Sequence, residues 1–254
     1  MDLNGKTVAI TGGGRGLGAA MARRLAVSGC NLALIDLEKD SLESVAAECM
    51  AAGAPGAETY VVNVTEEDEV VKLFEDIGND FGELHGLINN AGITRDALTL
   101  KYKEGQLVSK MSLEQWKLVL DVNLTGVFLC GREGAAKMIE LGCKGCLINI
   151  SSISRVGNMG QVNYSATKAG VEAMAVVWAK EFARYGIRAA SIAPGFIGTE
   201  MVMSMKPEAR EKLTSGIPSR RIGDPDEIAS TAQFILENDY INGRCIEVDG
   251  ALRL

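Results

Sequence analysis

The stretch KTVAITGGGRGLG, from Lys6 to Gly18, decides the fold. Its first six residues form a short β-branched run that is typical of a buried parallel strand. A glycine-rich turn with glycines at 12, 16 and 18 follows, and Leu17, Met21 and Leu25 then recur at helical spacing. Strand, glycine turn and helix in this order place a helix N-terminus under a phosphate group, because glycine lets the backbone N–H groups come close. The sequence therefore predicts a site for a pyrophosphate at this turn.

The rest of the chain alternates between strand-like and helical segments. The predicted strands are Val8–Thr11, Asn31–Ile35, Glu58–Val62, Gly86–Asn89, Gly145–Ile150, Ile187–Ile192 and Arg244–Val248, with helices such as Leu42–Ala52 and Glu66–Phe81 between them. This alternation predicts a Rossmann-type, doubly wound α/β fold with a parallel sheet of about seven strands and helices on both faces. We expect one domain over residues 1–254, with a cofactor half to about residue 150 and a catalytic and substrate half after it.

Composition and charge narrow the function classes. The formal net charge of -7 gives no basic footprint for nucleic acid, and no apolar run approaches the roughly 20 residues that span a bilayer. The first residues lack the regions of a signal peptide, so a cytoplasmic protein is expected. The C-x-x-C pair Cys143 and Cys146 would need a second ligand pair to bind zinc, but His85 is the one histidine and the other four cysteines are scattered in apolar settings, so no metal site is predicted.

The segment Tyr164-Ser165-Ala166-Thr167-Lys168 carries the chemistry. Tyr164 and Lys168 are four residues apart, and on a helix they share one face. A nearby ammonium favours the phenolate, so Lys168 is expected to lower the pKa of Tyr164. A tyrosine tuned in this way can take a proton from an alcohol or give one to a carbonyl oxygen.

Several motifs together resemble the short-chain dehydrogenase/reductase family. They are Thr11–Gly18, Asn89-Asn90-Ala91-Gly92, Asn123 within Asp121–Leu124, Ile150-Ser151-Ser152, Tyr164–Lys168 and Pro194-Gly195. They follow the family's order and span nearly the whole chain. Gly157–Tyr164 and the ending Ile246–Gly250 are most similar to the 3-oxoacyl-[acyl-carrier-protein] reductase branch, which acts in fatty acid biosynthesis.

The resemblance implies a role for each catalytic residue. Tyr164 would be the acid in reduction and the base in oxidation, and Lys168 would also hold the nicotinamide ribose. Asn123 would hold a water that links Lys168 to solvent. A serine would hydrogen-bond the substrate oxygen. Ser152, the second of its pair, is our choice for that serine, with Ser151 as the alternative because it lies thirteen residues before Tyr164.

The cofactor prediction depends on Asp36, which ends the second predicted strand. A carboxylate there can accept hydrogen bonds from ribose hydroxyls and would repel a 2′-phosphate, which favours NAD(H) over NADP(H). Arg15 in the glycine turn favours the phosphate instead, or pairs with Asp36. Leu37 follows Asp36 where an arginine would favour NADP(H), and Asn63 stands where the family often has an aspartate near the adenine. The other residues expected at the cofactor are Gly12, Gly14, Gly16, Leu17, Gly18, Val64, Asn90, Ala91, Gly92, Tyr164, Lys168, Pro194, Gly195, Ile197 and Thr199.

The branch resemblance implies reduction of a 3-oxoacyl thioester of acyl-carrier protein or CoA. The alternatives are an NAD-dependent dehydrogenase of a sugar, polyol, steroid or other secondary alcohol, and a nucleotide-binding regulator without turnover. Glu200–Ser215 is expected to form a lid over the substrate. Leu100–Lys110 is longer than the family usually has and either borders the site or decorates the surface. The resemblance also implies a homotetramer.

Overall fold

The computed structural model describes residues 1–200, 202–208 and 210–254. Its main sheet has seven parallel strands: β1 (Thr7–Thr11), β2 (Asn31–Asp36), β3 (Ala57–Val61), β4 (Gly86–Asn89), β7 (Gly145–Ile150), β8 (Ile187–Pro194) and β9 (Cys245–Val248). Their order is β3-β2-β1-β4-β7-β8-β9. The strand order reverses between β1 and β4, and in such sheets the crevice at this switch point binds ligands.

The helices cover both faces of this sheet. They are α1 (Gly16–Val27), α2 (Lys39–Ala52), α3 (Glu67–Phe81), α4 (Leu113–Leu120), α5 (Gly126–Glu140), α6 (Val162–Glu181), α7 (Glu200–Met203), α8 (Pro207–Gly216) and α9 (Pro225–Glu237). Neighbouring residues of a strand point to opposite faces, so Val8 and Ile10 pack in the layer of α1 and α9, whereas Ala9 packs in the layer of α3, α5 and α6. The sheet therefore lies between two apolar cores, one on each face.

The second helix layer is packed closely because small residues lie at the crossing points. A Cβ at Gly131 of α5 would lie 2.2 Å from the ring of Trp178 in α6. The glycine thus lets the tryptophan of α6 approach the backbone of α5. This contact packs α6, the helix with the Tyr164 motif, directly against α5.

The segment Leu100–Lys110 forms a β-hairpin. Strands β5 (Leu100–Lys103) and β6 (Gln106–Lys110) pair antiparallel through a turn at Glu104 and Gly105, both with positive φ. Two such residues make the turn that matches the twist of a hairpin. All residues of both strands are exposed.

The fold expected from the sequence is confirmed. Every predicted strand is present, although β8 extends to Pro194 and α2 begins at Lys39 rather than Leu42. None of the described helices is long and apolar enough to cross a membrane. The division into a cofactor half and a substrate half stays a prediction.

Candidate active site

The predicted catalytic and cofactor residues converge at the carboxyl edge of the sheet. Thr11 ends β1, and its hydroxyl oxygen accepts the backbone N–H groups of Asn90 (3.0 Å) and Ala91 (3.1 Å) after β4. The side-chain amide of Asn90 donates to the carbonyls of Thr11 (3.1 Å) and Gly12 (3.0 Å). Asn90 therefore fixes the glycine turn from the neighbouring strand, which is a role that the sequence alone did not assign to it.

The glycine turn is built for a close approach of backbone. Gly12 and Gly16 both have positive φ, which glycine adopts without strain. A Cβ at Gly18 would lie 2.0 Å from the carbonyl oxygen of Gly12, so helix α1 can begin this near to the turn only with glycine there. Leu17, the residue between Gly16 and Gly18, packs partly against the core layer of α1.

The start of α1 is open to a ligand. Arg15 precedes the helix, and no side chain of the described residues caps its first N–H groups. An open groove of about 390 Å³ lies beside the turn, with Gly14, Arg15 and Thr199 among its lining residues. Free N–H groups at a helix N-terminus favour an anion, so the turn fits the pyrophosphate of a dinucleotide.

Asp36 is held at the end of β2 by backbone donors. Its carboxylate accepts the N–H of Gly14 at 3.1 Å and that of Leu37 at 2.8 Å. The Leu37 side chain is 62% exposed and so presents an apolar surface beside the carboxylate. The structure forms no ion pair between Arg15 and Asp36 among the described residues. The fixed acceptor is therefore available to ribose hydroxyls, as its position in the sequence predicts.

Asn63 and Val64 follow β3, and the structure gives both of them structural contacts. The side-chain oxygen of Asn63 accepts the N–H (3.2 Å) and the hydroxyl (2.9 Å) of Thr65, which forms a turn. The Val64 side chain packs on Gly126, where a Cβ would lie only 2.9 Å from it. The Asn63 amide nitrogen has no such partner in the described part of the chain, and its contact with adenine stays a prediction.

Lys168 lies under the site rather than on its surface. It is 4% exposed, and its ammonium donates to the carbonyl of Ile150 at the end of β7 at 2.7 Å. The same nitrogen is 5.5 Å from the centre of the Tyr164 ring. The i, i+4 spacing on α6 thus brings the two side chains together as expected.

The structure distinguishes the two candidate serines. The Ser151 hydroxyl is buried and donates to the carbonyl of Lys168 at 2.7 Å, which ties β7 to α6. The Ser152 hydroxyl accepts the N–H of Ser154 (3.1 Å) and lies close enough to the Tyr164 hydroxyl to favour its phenolate. The geometry therefore supports Ser152 as the serine that faces the substrate, and it makes Ser151 a support for the helix.

Burial is the main cause of the pKa shifts of Tyr164 and Lys168. It raises the pKa of Tyr164, an effect that the hydrogen bond from Ser152 opposes and the charge of Asp96 reinforces. Burial also lowers the pKa of Lys168 from 10.5 to about 8. The expectation that Lys168 would bring the pKa of Tyr164 below its usual range is therefore wrong for the protein alone, because the ammonium is directed at the Ile150 carbonyl and desolvation of the phenolate outweighs it.

Asn123 is fully buried in a π-helical turn, Asp121–Thr125, between α4 and α5. Its side chain accepts the N–H of Ile93 and donates to the carbonyl of Ile93, both at 2.8 Å. The amide therefore clamps the loop after β4 beside Lys168, since a Cβ at Gly92 would lie 3.3 Å from the Asn123 oxygen and 3.6 Å from the Lys168 nitrogen. The predicted water relay stays a prediction, and the observed contact is one of positioning.

The segment after β8 closes the other side of the crevice. Pro194 ends the strand, and Gly195 approaches the backbone of Asp249 so closely that a Cβ would lie 2.7 Å from its Cα. Ile197 is buried, and Thr199 reaches back to the glycine turn, 3.7 Å from the Cβ position of Gly16. Helices α7 and α8 follow directly, in the segment where the sequence predicts a lid.

An ion cluster behind Ser152 had no signal in the sequence. The Arg155 side chain is 12% exposed, pairs with Glu172 of α6 at 2.6 Å, and also pairs with Glu247 of β9. It donates as well to the carbonyl of Ser152 at 3.3 Å. Arg155 thus links helix α6 and strand β9 behind Ser152. Among the described residues no cluster could hold a metal ion, and the predicted absence of a metal stays a prediction.

Comparisons with known proteins agree with this geometry. A family model described as enoyl-(acyl carrier protein) reductase matches residues 12–252. The chain is 40% identical to the 3-oxoacyl-[acyl-carrier-protein] reductase FabG of Thermotoga maritima, over 99% of both chains. It is 38% identical to the acetoacetyl-CoA reductase of a Synechocystis species, over 99% of this chain and 98% of that one. A solved structure described as a gluconate dehydrogenase of Agrobacterium tumefaciens superposes with a TM-score of 0.89 at 32% identity, over 99% of this chain and 97% of that one. A family model over nearly the whole chain and full-length relatives at 38–40% identity therefore show that the chain belongs to the short-chain dehydrogenase/reductase family.

Proposed function

We propose that this enzyme reduces the ketone of a 3-oxoacyl thioester, on CoA or an acyl-carrier protein, to the 3-hydroxyacyl thioester. The observation that carries the proposal is that Tyr164 lies beside Ser152 and the buried ammonium of Lys168, at the same sheet edge as the open glycine turn. The reductases from Thermotoga and Synechocystis act on thioesters by name and share the whole chain length with this protein.

The side chains divide the work on the substrate oxygen. The hydroxyls of Ser152 and Tyr164 both donate to the ketone oxygen, which gains negative charge as the carbonyl is reduced. Tyr164 then transfers its proton to that oxygen. The raised pKa of Tyr164 keeps the hydroxyl protonated at neutral pH, which suits an acid. The ammonium of Lys168 stabilises the phenolate that remains until a proton returns.

The nicotinamide cofactor supplies the hydride when it is bound. The uncapped start of α1 would hold its pyrophosphate, and Asp36 would accept hydrogen bonds from the adenosine ribose. Pro194, Gly195, Ile197 and Thr199 would line the nicotinamide end. We infer a preference for NAD(H), because a 2′-phosphate beside the Asp36 carboxylate would meet a fixed negative charge and the apolar Leu37. Arg15 leaves NADP(H) as the second candidate.

A dehydrogenase of a sugar acid or another polyol is the second candidate function. The fold is shared with the Agrobacterium structure described as a gluconate dehydrogenase, and the same three side chains can take a proton from an alcohol. A polyol substrate needs several hydrogen-bonding partners in its pocket. The Met203 and Met205 side chains on and after α7 offer apolar surface instead, which favours an acyl chain.

The deciding experiment follows the oxidation of NADH and of NADPH with acetoacetyl-CoA. Tyr164→Phe should lower kcat by at least about 100-fold while the affinity for the cofactor is kept, because only the proton donor is removed. Tyr240→Phe, at a fully exposed tyrosine, is the matched control and should not change the rate. No turnover with the wild-type enzyme, under conditions where the cofactor binds, would overturn the thioester assignment and direct the search to gluconate and other polyols.

The cofactor preference has its own test. Asp36→Asn keeps an acceptor for the Leu37 N–H but removes the charge, so we expect kcat/KM with NADPH to rise at least about 10-fold relative to NADH. Arg15→Gln should move the ratio in the opposite direction. An unchanged ratio in Asp36→Asn would refute the role given to the carboxylate.

We also propose a cytoplasmic homotetramer, as family resemblance implies. Phe128 and Ile139 on α5 and Val177 on α6 are more than a third exposed, which provides an apolar face for a second copy. Sedimentation velocity that finds only a monomer would refute this assembly.

A further inference from the structure

The hairpin of residues 100–110 has one largely apolar face, and its three lysines are divided between both faces. Residues directly opposite in the pairing share a face, so Leu100, Tyr102 and Leu107 lie together with Lys110. Lys101 and Lys103 lie on the other face, with Gln106 and Ser109. The exposed fractions of the three apolar side chains are 58%, 61% and 47%, so neither face is covered by the rest of the chain.

Such an arrangement is unusual for a solvated decoration. A two-stranded hairpin without further packing is marginally stable in water, because it buries little apolar surface. The hairpin forms no extensive packing with any other helix or strand of the described chain. An amphipathic ribbon of this kind gains most of its stability when a partner covers the apolar face.

The base of the hairpin is attached to the catalytic segment. The N–H of Ala97 donates to the carbonyl of Gly160 at 2.9 Å. Asn163, the residue before Tyr164, donates from its side chain to the carbonyl of Arg95 at 3.1 Å, and Gln161 donates to Asp96 at 2.9 Å. The strands, each roughly 15 Å long at about 3.3 Å per residue, therefore begin next to the segment that carries Tyr164. A partner bound on them would stand beside the entrance to Tyr164.

The positive charge of the hairpin region indicates an acidic partner. Residues 95–110 contain four cationic and two acidic side chains, in a chain whose formal net charge is -7. Lys101 and Lys110 have no ion pair in the part of the chain that the structure describes. Two cations of α5 are neutralised by contrast: Arg132 pairs with Glu67 and Glu133, and Lys137 pairs with Glu140. The hairpin is thus a cationic surface beside the site, which steers an acidic protein toward it.

We propose that the hairpin of residues 100–110 is the docking surface for an acidic carrier protein that presents the thioester to Tyr164. The proposal rests on the thioester function given above. The carrier covers the face with Leu100, Tyr102 and Leu107, where Lys110 meets its acidic surface directly. Lys101 and Lys103, on the other face, add a longer-range attraction that steers the carrier to the hairpin. A second copy of this chain, with net charge -7, is the competing occupant.

The test compares one acyl group on two supports. The variant Lys101→Glu/Lys103→Glu/Lys110→Glu should lose at least about 10-fold in kcat/KM with acetoacetyl-acyl-carrier protein, and it should keep its rate with acetoacetyl-N-acetylcysteamine, which has no carrier and no phosphate. Tyr102→Ser/Leu107→Ser should show the same selective loss. Lys72→Glu/Lys144→Glu/Lys180→Glu is the matched control with the same change in net charge at exposed lysines elsewhere, and it should keep both rates.

Three results would overturn the proposal. Equal losses with both substrates would mean that the hairpin only supports the site, and equal rates would mean that its lysines only deter pairing at the strand edges. A hairpin variant that dissociates into smaller assemblies and keeps its rate with the carrier substrate would assign the apolar face to a second copy. Should the wild-type enzyme turn over neither thioester, the proposed function fails, and calorimetric titration with the acyl-carrier protein still decides about the hairpin: absence of binding overturns its role.

Discussion

Removing the buried ammonium of Lys168 should stabilise the protein at neutral pH while it inactivates the enzyme. Burial lowers the pKa of this lysine from 10.5 to about 8, so its charged form is disfavoured in the folded state. At about 1.4 kcal/mol per pKa unit, the shift is worth about 3 kcal/mol of lost stability at pH 7. Lys168→Met fills the same space without a charge, and turnover should fall by at least about 100-fold because the phenolate loses its cation.

The stability that Lys168→Met gains by removing the buried charge is partly offset by a lost hydrogen bond. In Lys168→Met the carbonyl of Ile150 loses the donor at 2.7 Å, which costs about 1–2 kcal/mol. We therefore expect the free energy of unfolding at pH 7 to rise by about 1–2 kcal/mol. A catalytic group that reduces stability in this way is the expected trade-off at an active site.

The stability difference between the wild type and Lys168→Met should change sign with pH, which tests this reasoning. Between pH 8 and pH 10.5 the unfolded lysine keeps its proton while the folded one loses it, so the stability of the wild-type protein rises with pH relative to the variant. Urea unfolding at pH 7 and pH 10 should show the advantage of the variant shrinking by about 2.5 kcal/mol and reversing in sign. Lys180→Met, at an exposed lysine of the same helix, is the control. An equal stability difference at both pH values would refute the argument.

Three further predictions concern groups outside the catalytic pair. Arg155→Met should raise KM for the substrate and lower kcat by roughly 10-fold, because the Ser152 carbonyl loses the hydrogen bond from Arg155. Arg155→Lys should restore part of the rate. Unchanged kinetics would show that the ion cluster is not needed. Burial, reinforced by the charge of Lys6 and opposed by Glu83, lowers the pKa of His85. The unfolded chain therefore binds a proton first as the pH falls below about 6.5, and urea unfolding at pH 8 and pH 5.5 should show His85→Gln losing less stability than the wild type. Gly18→Ala places a methyl 2.0 Å from the Gly12 carbonyl, so calorimetric titration should find the affinity for the cofactor reduced at least about 10-fold while the fold, followed by circular dichroism, is kept.

Local patterns in the sequence determined the architecture and the reacting groups. The β-branched run before Gly12, the glycines of the turn and the period of α1 are short-range signals, and each is set by the conformational freedom of the residues themselves. The i, i+4 spacing of Tyr164 and Lys168 likewise fixes their common face once the helix forms. Asp36 could be placed because it is the residue where the buried run of β2 ends.

Contacts between distant segments were decided only by the tertiary structure. Either of the two adjacent serines could match the family motif. Only the packing of β7 against α6 shows that the Ser151 hydroxyl donates to the Lys168 carbonyl, whereas Ser152 lies beside Tyr164. The direction of the Tyr164 pKa shift also depends on burial, which no spacing along the chain reveals. The sequence left open whether Leu100–Lys110 borders the site or decorates the surface. Its Glu104-Gly105 turn is a weak signal for a hairpin, and the residues that contact its base, such as Gln161 and Asn163, lie about 50 residues further along the chain. Sequence spacing fixes which side chains can share a face, whereas hydrogen-bond partners and desolvation depend on which other backbone comes to lie against that face.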